Sequence, residues 1–145
     1  MRYLLLASFA LLFSCSASKK VANGTAGKPG QDAAPFEYTT WELTAIPDFE
    51  LEKTSKKVTL IFLDSTKRIG GYAGCNGYGG NYTKSGNSIR LENIISTKMA
   101  CMPGMKTENK FISAMMETDS YELSGEILKL KKDGRVLAEL KKAEK

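Results

Sequence analysis

Two periodicities organise the chain from residue 36 onward. Trp41-Glu42-Leu43-Thr44-Ala45-Ile46 alternates apolar and polar side chains, as a half-buried strand does, and Pro47-Asp48 ends it. Val58 to Leu63 is apolar at almost every position, which suits a strand covered on both faces or one inside a closed or strongly curved sheet. Tyr82-Thr83, then Lys84-Ser85-Gly86-Asn87, then Ser88 to Asn93 reads as a hairpin. Ile89 and Leu91 face in, and Arg90 and Glu92 face out. Tyr121 and Leu123 mark another strand. Leu128 and Leu130 alternate with Lys129 and Lys131, Asp133-Gly134 turns the chain, and Val136, Ala138 and Leu140 return. Before these last strands the period changes to 3.6. Glu108, Phe111, Ile112, Met115 and Met116 fall on one side of a helix, and Pro103 suits its start, so Met105 to Thr118 is expected to be helical.

Ile69 to Tyr82 is dense in glycine (Gly70, Gly71, Gly74, Gly77, Gly79, Gly80), interleaved with Tyr72, Tyr78 and Tyr82. Glycine there permits bulges and sharp bends in a coiled sheet, with tyrosines packing across them. Short links between strands favour antiparallel pairing. The pattern therefore predicts an α+β domain: a strongly curved, mostly antiparallel sheet of about 6–8 strands with one principal helix at about 105–118. There is no internal repeat.

The beginning of the chain reads differently. Met1-Arg2 is followed by an apolar run from Tyr3 to Phe13, too short for a bilayer core, which needs about 20 residues, but suited to a secretory signal. Leu12-Phe13-Ser14-Cys15 resembles a bacterial lipobox. The resemblance implies cleavage after Ser14, leaving Cys15 as a first residue carrying thioether-linked diacylglycerol. Ser16 to Pro35 is Ser, Ala, Lys, Gly, Asn and Pro with only Val21 large and apolar, so it cannot bury enough surface to offset its ordering entropy. The expected organisation is a signal peptide at 1–14, a lipidated Cys15 and flexible tether at 15–35, and a folded domain at 36–145. Ser16 after the lipidated cysteine, rather than aspartate, favours the outer membrane of a Gram-negative cell. The expected location is thus the cell envelope, facing the periplasm, with the membrane reached through Cys15.

Charge and composition narrow the chemistry. The net charge of +5 is mild, and lysines are interspersed with acids, without the basic stripe and aromatic platforms that nucleic acid would require. No nucleic-acid partner is expected. Histidine is absent, which removes the commonest general base and the commonest metal ligand together. With Cys15 lipidated, Cys75 and Cys101 remain in an oxidising compartment and read as a disulfide; two free or metal-binding thiols are the competing reading, without further ligands at zinc spacing. A bridge closing a loop of about 27 residues would contribute about 3.5 kcal/mol in the chain-entropy model. Neither metal nor cofactor is expected.

Two segments invite a catalytic or ligand-binding reading. The run Gly70 to Gly80 lacks the Gly-Lys-Ser/Thr triplet of a phosphate loop and leads into a strand, not a helix. Ser96-Thr97-Lys98 places hydroxyls beside an amine, as in a serine–lysine hydrolase, which also needs a buried lysine and an oxyanion hole. Asn76, Tyr78, Thr97 and Lys98 flank the two cysteines and form the candidate contact patch. The competing role for Asn76 and Thr97 is to satisfy backbone groups at bends.

Trp41-x-Leu43, Ile69-Gly70-Gly71-Tyr72-Ala73-Gly74-Cys75-Asn76-Gly77-Tyr78, Tyr82 and Ile95-Ser96-Thr97-Lys98-Met99-Ala100-Cys101 occur in this order. Phe111, Tyr121, Leu128 and Leu130 follow. Together they resemble the META domain family in its HslJ-like heat-shock lipoprotein form, over about residues 38–140. The resemblance implies a small α+β domain, often membrane-anchored in bacteria, without an accepted catalytic site. It also implies links to envelope stress, novobiocin tolerance and, in trypanosomatid members, virulence. The expected function is a non-catalytic, membrane-anchored envelope lipoprotein that binds or scaffolds an envelope protein or small ligand, not an enzyme. The alternatives are an inhibitor of an extracytoplasmic protease and a Ser/Thr-Lys hydrolase.

Overall fold

The computed structural model describes residues 34–144. The expected signal peptide, Cys15 and the expected tether as far as residue 33 lie outside the described residues. Eight strands run in chain order: β1 (Thr40–Ala45), β2 (Thr59–Leu63), β3 (Arg68–Tyr72), β4 (Gly77–Ser85), β5 (Ser88–Ser96), β6 (Ser120–Ser124), β7 (Ile127–Lys132) and β8 (Arg135–Lys142). The helix α1 (Met105–Glu117) stands between β5 and β6. Each strand pairs antiparallel with the next, and β1 pairs with β8, so the sheet closes into a barrel. This is the curved, antiparallel α+β fold expected. The glycine-rich stretch supplies two strands, β3 and β4, in register from Arg68↔Asn81 to Tyr72↔Gly77.

An eight-stranded barrel is just wide enough for its own side chains to fill. Trp41, Leu60, Phe62, Leu128, Leu130, Ala138 and Leu140 have no exposed surface, and Ile89 and Leu91 face inward as their alternation requires. Thr59–Leu63 alternates buried with half-buried positions, which is the strand of a closed sheet and not one sandwiched between layers. Glycine lets the strands close tightly at two points. A Cβ at Gly71 would stand 2.0 Å from the Thr59 carbonyl oxygen, and one at Gly80 would stand 2.8 Å from that of Glu92.

Strand directions sort the loops between the two ends of the barrel. At one end the chain enters at Ala34, whose N–H donates to the Gly125 carbonyl at 2.9 Å. Phe36 plugs that end, stacked on Phe62 at 4.2 Å and tilted on Tyr121 at 4.6 Å. Ala34, the first described residue, is already buried. At the other end lie the loop 46–58, the turn 73–76, the loop 97–104 and α1. Phe111 and Met115 of α1 are fully buried in the core, each contributing about 1.5–3 kcal/mol of hydrophobic burial. Met116 does not share that face: it is 64% exposed, because Ala114 and Thr107 take the buried positions beside Phe111 and Met115.

Turns follow backbone chemistry. Asp133 and Gly134 both have positive φ (49° and 79°), as a two-residue hairpin turn of matching twist requires. The β4–β5 turn is also two residues, Gly86-Asn87, because Lys84 and Ser85 continue the ladder opposite Ile89 and Ser88. The thinnest joint is between β5 and β6, which share one register pair, Ser88↔Ser120. Backbone bonds carry it, from the Ile89 N–H to the Asp119 carbonyl and from the Tyr121 N–H to the Asn87 carbonyl, each at 3.0 Å. The Asp119 carboxyl staples the start of β6 to the β7–β8 turn, accepting from the Ser120 hydroxyl at 2.7 Å and the Asp133 N–H at 3.1 Å, with Lys132 at 3.2 Å.

Candidate functional site

The turn between β3 and β4 begins the site. The Ala73 N–H donates to the Asn76 carbonyl at 2.8 Å, and all four residues Ala73 to Asn76 are buried. Gly74 takes φ +112°, and a Cβ there would meet the Thr54 side chain at 2.7 Å, so this turn is written for glycine. Burying such a turn leaves its backbone donors in need of partners. Glu108, 4% exposed on the inner face of α1, supplies them: its Oε2 accepts from the N–H groups of Asn76 at 2.7 Å and Cys75 at 3.2 Å.

Asn76 then carries the turn's order outward. Its Nδ2 donates to Glu108 Oε1 at 2.8 Å and to the Met99 carbonyl at 3.0 Å. Its Oδ1 accepts from the Thr97 hydroxyl at 2.7 Å and from the Met99 N–H at 2.8 Å. Both amide hydrogens and both oxygen lone pairs are used, so the side chain, 1% exposed, is fully satisfied. The disulfide joins Cys75 to Cys101 across a Cα–Cα distance of 5.7 Å and closes the same loop on its far side. The Thr97 N–H also donates to the Gly77 carbonyl at 3.1 Å.

Beyond Cys101 a second carboxyl holds the start of α1. Gly104 occupies the cap position and offers no side chain. Glu52, from the loop 46–58, substitutes: its Oε2 accepts from the N–H groups of Gly104 at 3.0 Å and Lys106 at 2.9 Å, as helix N-termini favour. Its own N–H donates to the Thr107 hydroxyl at 2.8 Å. Desolvation opposes its ionisation, but the amides of Lys106, Gly104 and Thr107 and the Lys106 charge outweigh it and hold the carboxyl below the usual range.

The four residues of the expected patch therefore separate. Asn76 is buried at 1% and Tyr78 at 7%, whereas Thr97 and Lys98 are exposed. Tyr78 donates its hydroxyl to the Thr59 carbonyl at 2.8 Å inside the barrel, where burial pushes its phenol far above the ordinary value. Asn76 organises the loop from below through the Met99 N–H and carbonyl, whereas the Thr97 hydroxyl donates to the Asn76 side chain and not to a backbone group. What reaches solvent is Thr97, Lys98, Met99 at 55% and Met102 at 91%. Sequence reasoning missed Glu108 and Glu52. The available signals were an acid at a core position of a helix, and a helix start whose cap residue has no acceptor.

The architecture defines a class: a small, side-chain-filled β-barrel with one helix and a disulfide-braced loop. The META domain model matches residues 34–144, and the chain belongs to the META domain family. No curated protein matches. Among solved structures, an NMR structure of a protein from Burkholderia xenovorans is similar with a TM-score of 0.60 at 20% identity, covering 92% of this chain and 100% of that one. A crystal structure of a DUF4847 family protein from Bacteroides vulgatus is similar with a TM-score of 0.55 at 14% identity, covering 76% of this chain and 95% of that one. At these identities the two structures share the fold.

Proposed function

We propose that this META domain is a non-catalytic, lipid-anchored protein of the bacterial cell envelope, held through Cys15 on the outer membrane and facing the periplasm. It binds or scaffolds another envelope component during envelope stress or antibiotic tolerance. The observation that carries the reading is the loop 97–104. Its backbone is fixed by Asn76, the disulfide and Glu52, while Lys98, Met99 and Met102 stand in solvent. Ordering a surface loop costs entropy that packing does not return, and a loop ordered in advance lowers the cost of binding. The loop also lies at the barrel end opposite Ala34, so a tether reaching the membrane from Ala34 leaves it facing away from the lipid.

A serine–lysine hydrolase needs its lysine amine buried beside the nucleophile, and the exposed Lys98 supports the non-catalytic reading. A specific observation favours a second reading, inhibition of an extracytoplasmic protease: the exposed loop is braced on both sides. Two measurements test the first reading. Fatty-acid probe labelling is expected for the wild type and lost in Cys15→Ser; equal labelling of both refutes the anchor. A photo-crosslinker at Met102 is expected to trap a partner that one at Glu126, at the other end, does not; equal yields refute the loop as the contact element.

A further inference from the structure

We propose that Lys98-Met99 is the reactive-site bond of a protease-inhibitory loop, and that its partner is a serine protease with an acidic specificity pocket, of trypsin-like preference. This rests on the second reading above and names its partner.

A protease distinguishes an inhibitor from a substrate by what happens on either side of the bond it attacks. A substrate segment is mobile and its halves leave after cleavage. An inhibitory loop is held in place before the bond and after it. Here one buried side chain does both. Asn76 Oδ1 accepts from the Thr97 hydroxyl at 2.7 Å on the leading side and from the Met99 N–H at 2.8 Å on the trailing side. Its Nδ2 holds the Met99 carbonyl at 3.0 Å. Thr97 is further tied to Gly77 at 3.1 Å, and Cys101 to Cys75. Asn76 cannot yield, because Glu108 holds both its backbone N–H and its Nδ2.

Between these two fixed residues stands Lys98. Its side chain is exposed, and among the described residues its own N–H and C=O make no hydrogen bond, which leaves them for an enzyme's binding cleft. Residues 97 to 101 adopt neither helix nor strand. The only charge offered at the centre of the loop is the lysine cation, which fits a pocket with an acid at its base, the feature that gives trypsin its preference. Met99 and Met102, at 55% and 91% exposed, supply adaptable apolar contact beside it.

Connectivity supports the same conclusion. Hydrolysis of Lys98-Met99 would consume one water, leaving a carboxyl on Lys98 and an amine on Met99. Cys75 lies before that bond and Cys101 after it, so the disulfide keeps the two pieces in one molecule. Asn76 keeps the new ends adjacent, and condensation re-forms the bond with release of the water. A cut that neither separates the halves nor frees the loop leaves the enzyme occupied.

The test uses the full chain, purified with its disulfide intact, against bovine trypsin and immobilised anhydrotrypsin. The expected result is saturable inhibition of lysine-amide hydrolysis and binding to anhydrotrypsin. Lys98→Ala should weaken both by about 30-fold or more, as for a central interface anchor, and Lys98→Arg should restore them. Lys98→Leu should transfer inhibition to chymotrypsin. On long incubation the chain should be cut at Lys98-Met99 into pieces that separate only after reduction. No binding to anhydrotrypsin, binding unchanged in Lys98→Ala, or rapid and complete cleavage at Lys98-Met99 without inhibition would each overturn the proposal. A partner still trapped by the Met102 crosslinker in any of those cases would leave the loop as a contact element and remove only the protease.

Discussion

Asn76→Ala is the most informative single substitution in this domain. It removes four hydrogen bonds, two made by Nδ2 and two received by Oδ1. Each contributes about 1 kcal/mol net, and the one to the Glu108 carboxyl about 1.5–3 kcal/mol. The Thr97 hydroxyl, exposed, recovers water as a partner, so its loss is small. The Met99 N–H and C=O lose the partner that sets the loop, and Glu108, 4% exposed, keeps only its two backbone donors. The sum is about 3–5 kcal/mol. Against a domain stability of about 5–15 kcal/mol this is a large fraction. Urea unfolding followed by fluorescence of Trp41 should show the midpoint falling by about 2 M with the slope unchanged, for a slope of about 1–3 kcal/mol/M. Asn76→Asp should not rescue it, because it discards both donors and sets a second carboxyl against Glu108. A loss below about 1 kcal/mol for Asn76→Ala, or a loss equally large in Thr97→Ala, would refute the assignment of Asn76 as the organiser of the loop.

Three further expectations follow from the same geometry. Unreduced peptide mapping should recover the Cys75 and Cys101 peptides joined, and Cys75→Ser/Cys101→Ser should cost about 2–5 kcal/mol in the same urea assay; free thiols under alkylating isolation would contradict this. Gly71→Ala should destabilise by about 3 kcal/mol or more, since the new Cβ would enter the Thr59 carbonyl at 2.0 Å, whereas Gly86→Ala, where the space is open and only the positive φ of +56° opposes a side chain, should cost about 1–2 kcal/mol. Asp119, held at about 2 by the Ser120 hydroxyl, the Asp133 N–H and Lys132, has a folded value below its ordinary 3.8. Its contribution is therefore complete above about pH 4 and lost as pH falls toward 2, so Asp119→Asn should flatten that part of an acid-unfolding curve; an unchanged curve would exclude the staple.

Local pattern was sufficient where a residue's role depends on its neighbours in sequence. The alternation of Ile89, Arg90, Leu91 and Glu92 sets which side of β5 is buried, because successive strand residues point to opposite faces. Asp133-Gly134 specifies its turn because few residues accept positive φ in succession. Phe111 and Met115 mark the buried side of α1 by spacing alone. Met116 defeated the same rule, since helical spacing admits a broad stripe and only the barrel wall decides where the stripe ends. Likewise, no alternation marks Ala34, which is placed by burial in the core and by a hydrogen bond to Gly125, far along the chain.

The sequence by itself indicated most of the elements, their antiparallel pairing and the one helix, and it favoured pairing Cys75 with Cys101 over two free thiols. Each of these follows from nearest-neighbour sterics, from period, or from counting what chemistry remains. The tertiary structure alone decided that the sheet closes, because the pairing of β1 with β8 joins residues at opposite ends of the domain and no local signal encodes it. It alone decided the fate of the patch. Asn76 and Thr97 look equally polar in sequence, yet closure buries the first against Glu108 and leaves the second at the surface. A buried polar side chain must satisfy every donor and acceptor it carries, so Asn76 becomes the frame. Lys98 stands exposed on that frame, and among the described residues its backbone groups make no hydrogen bond.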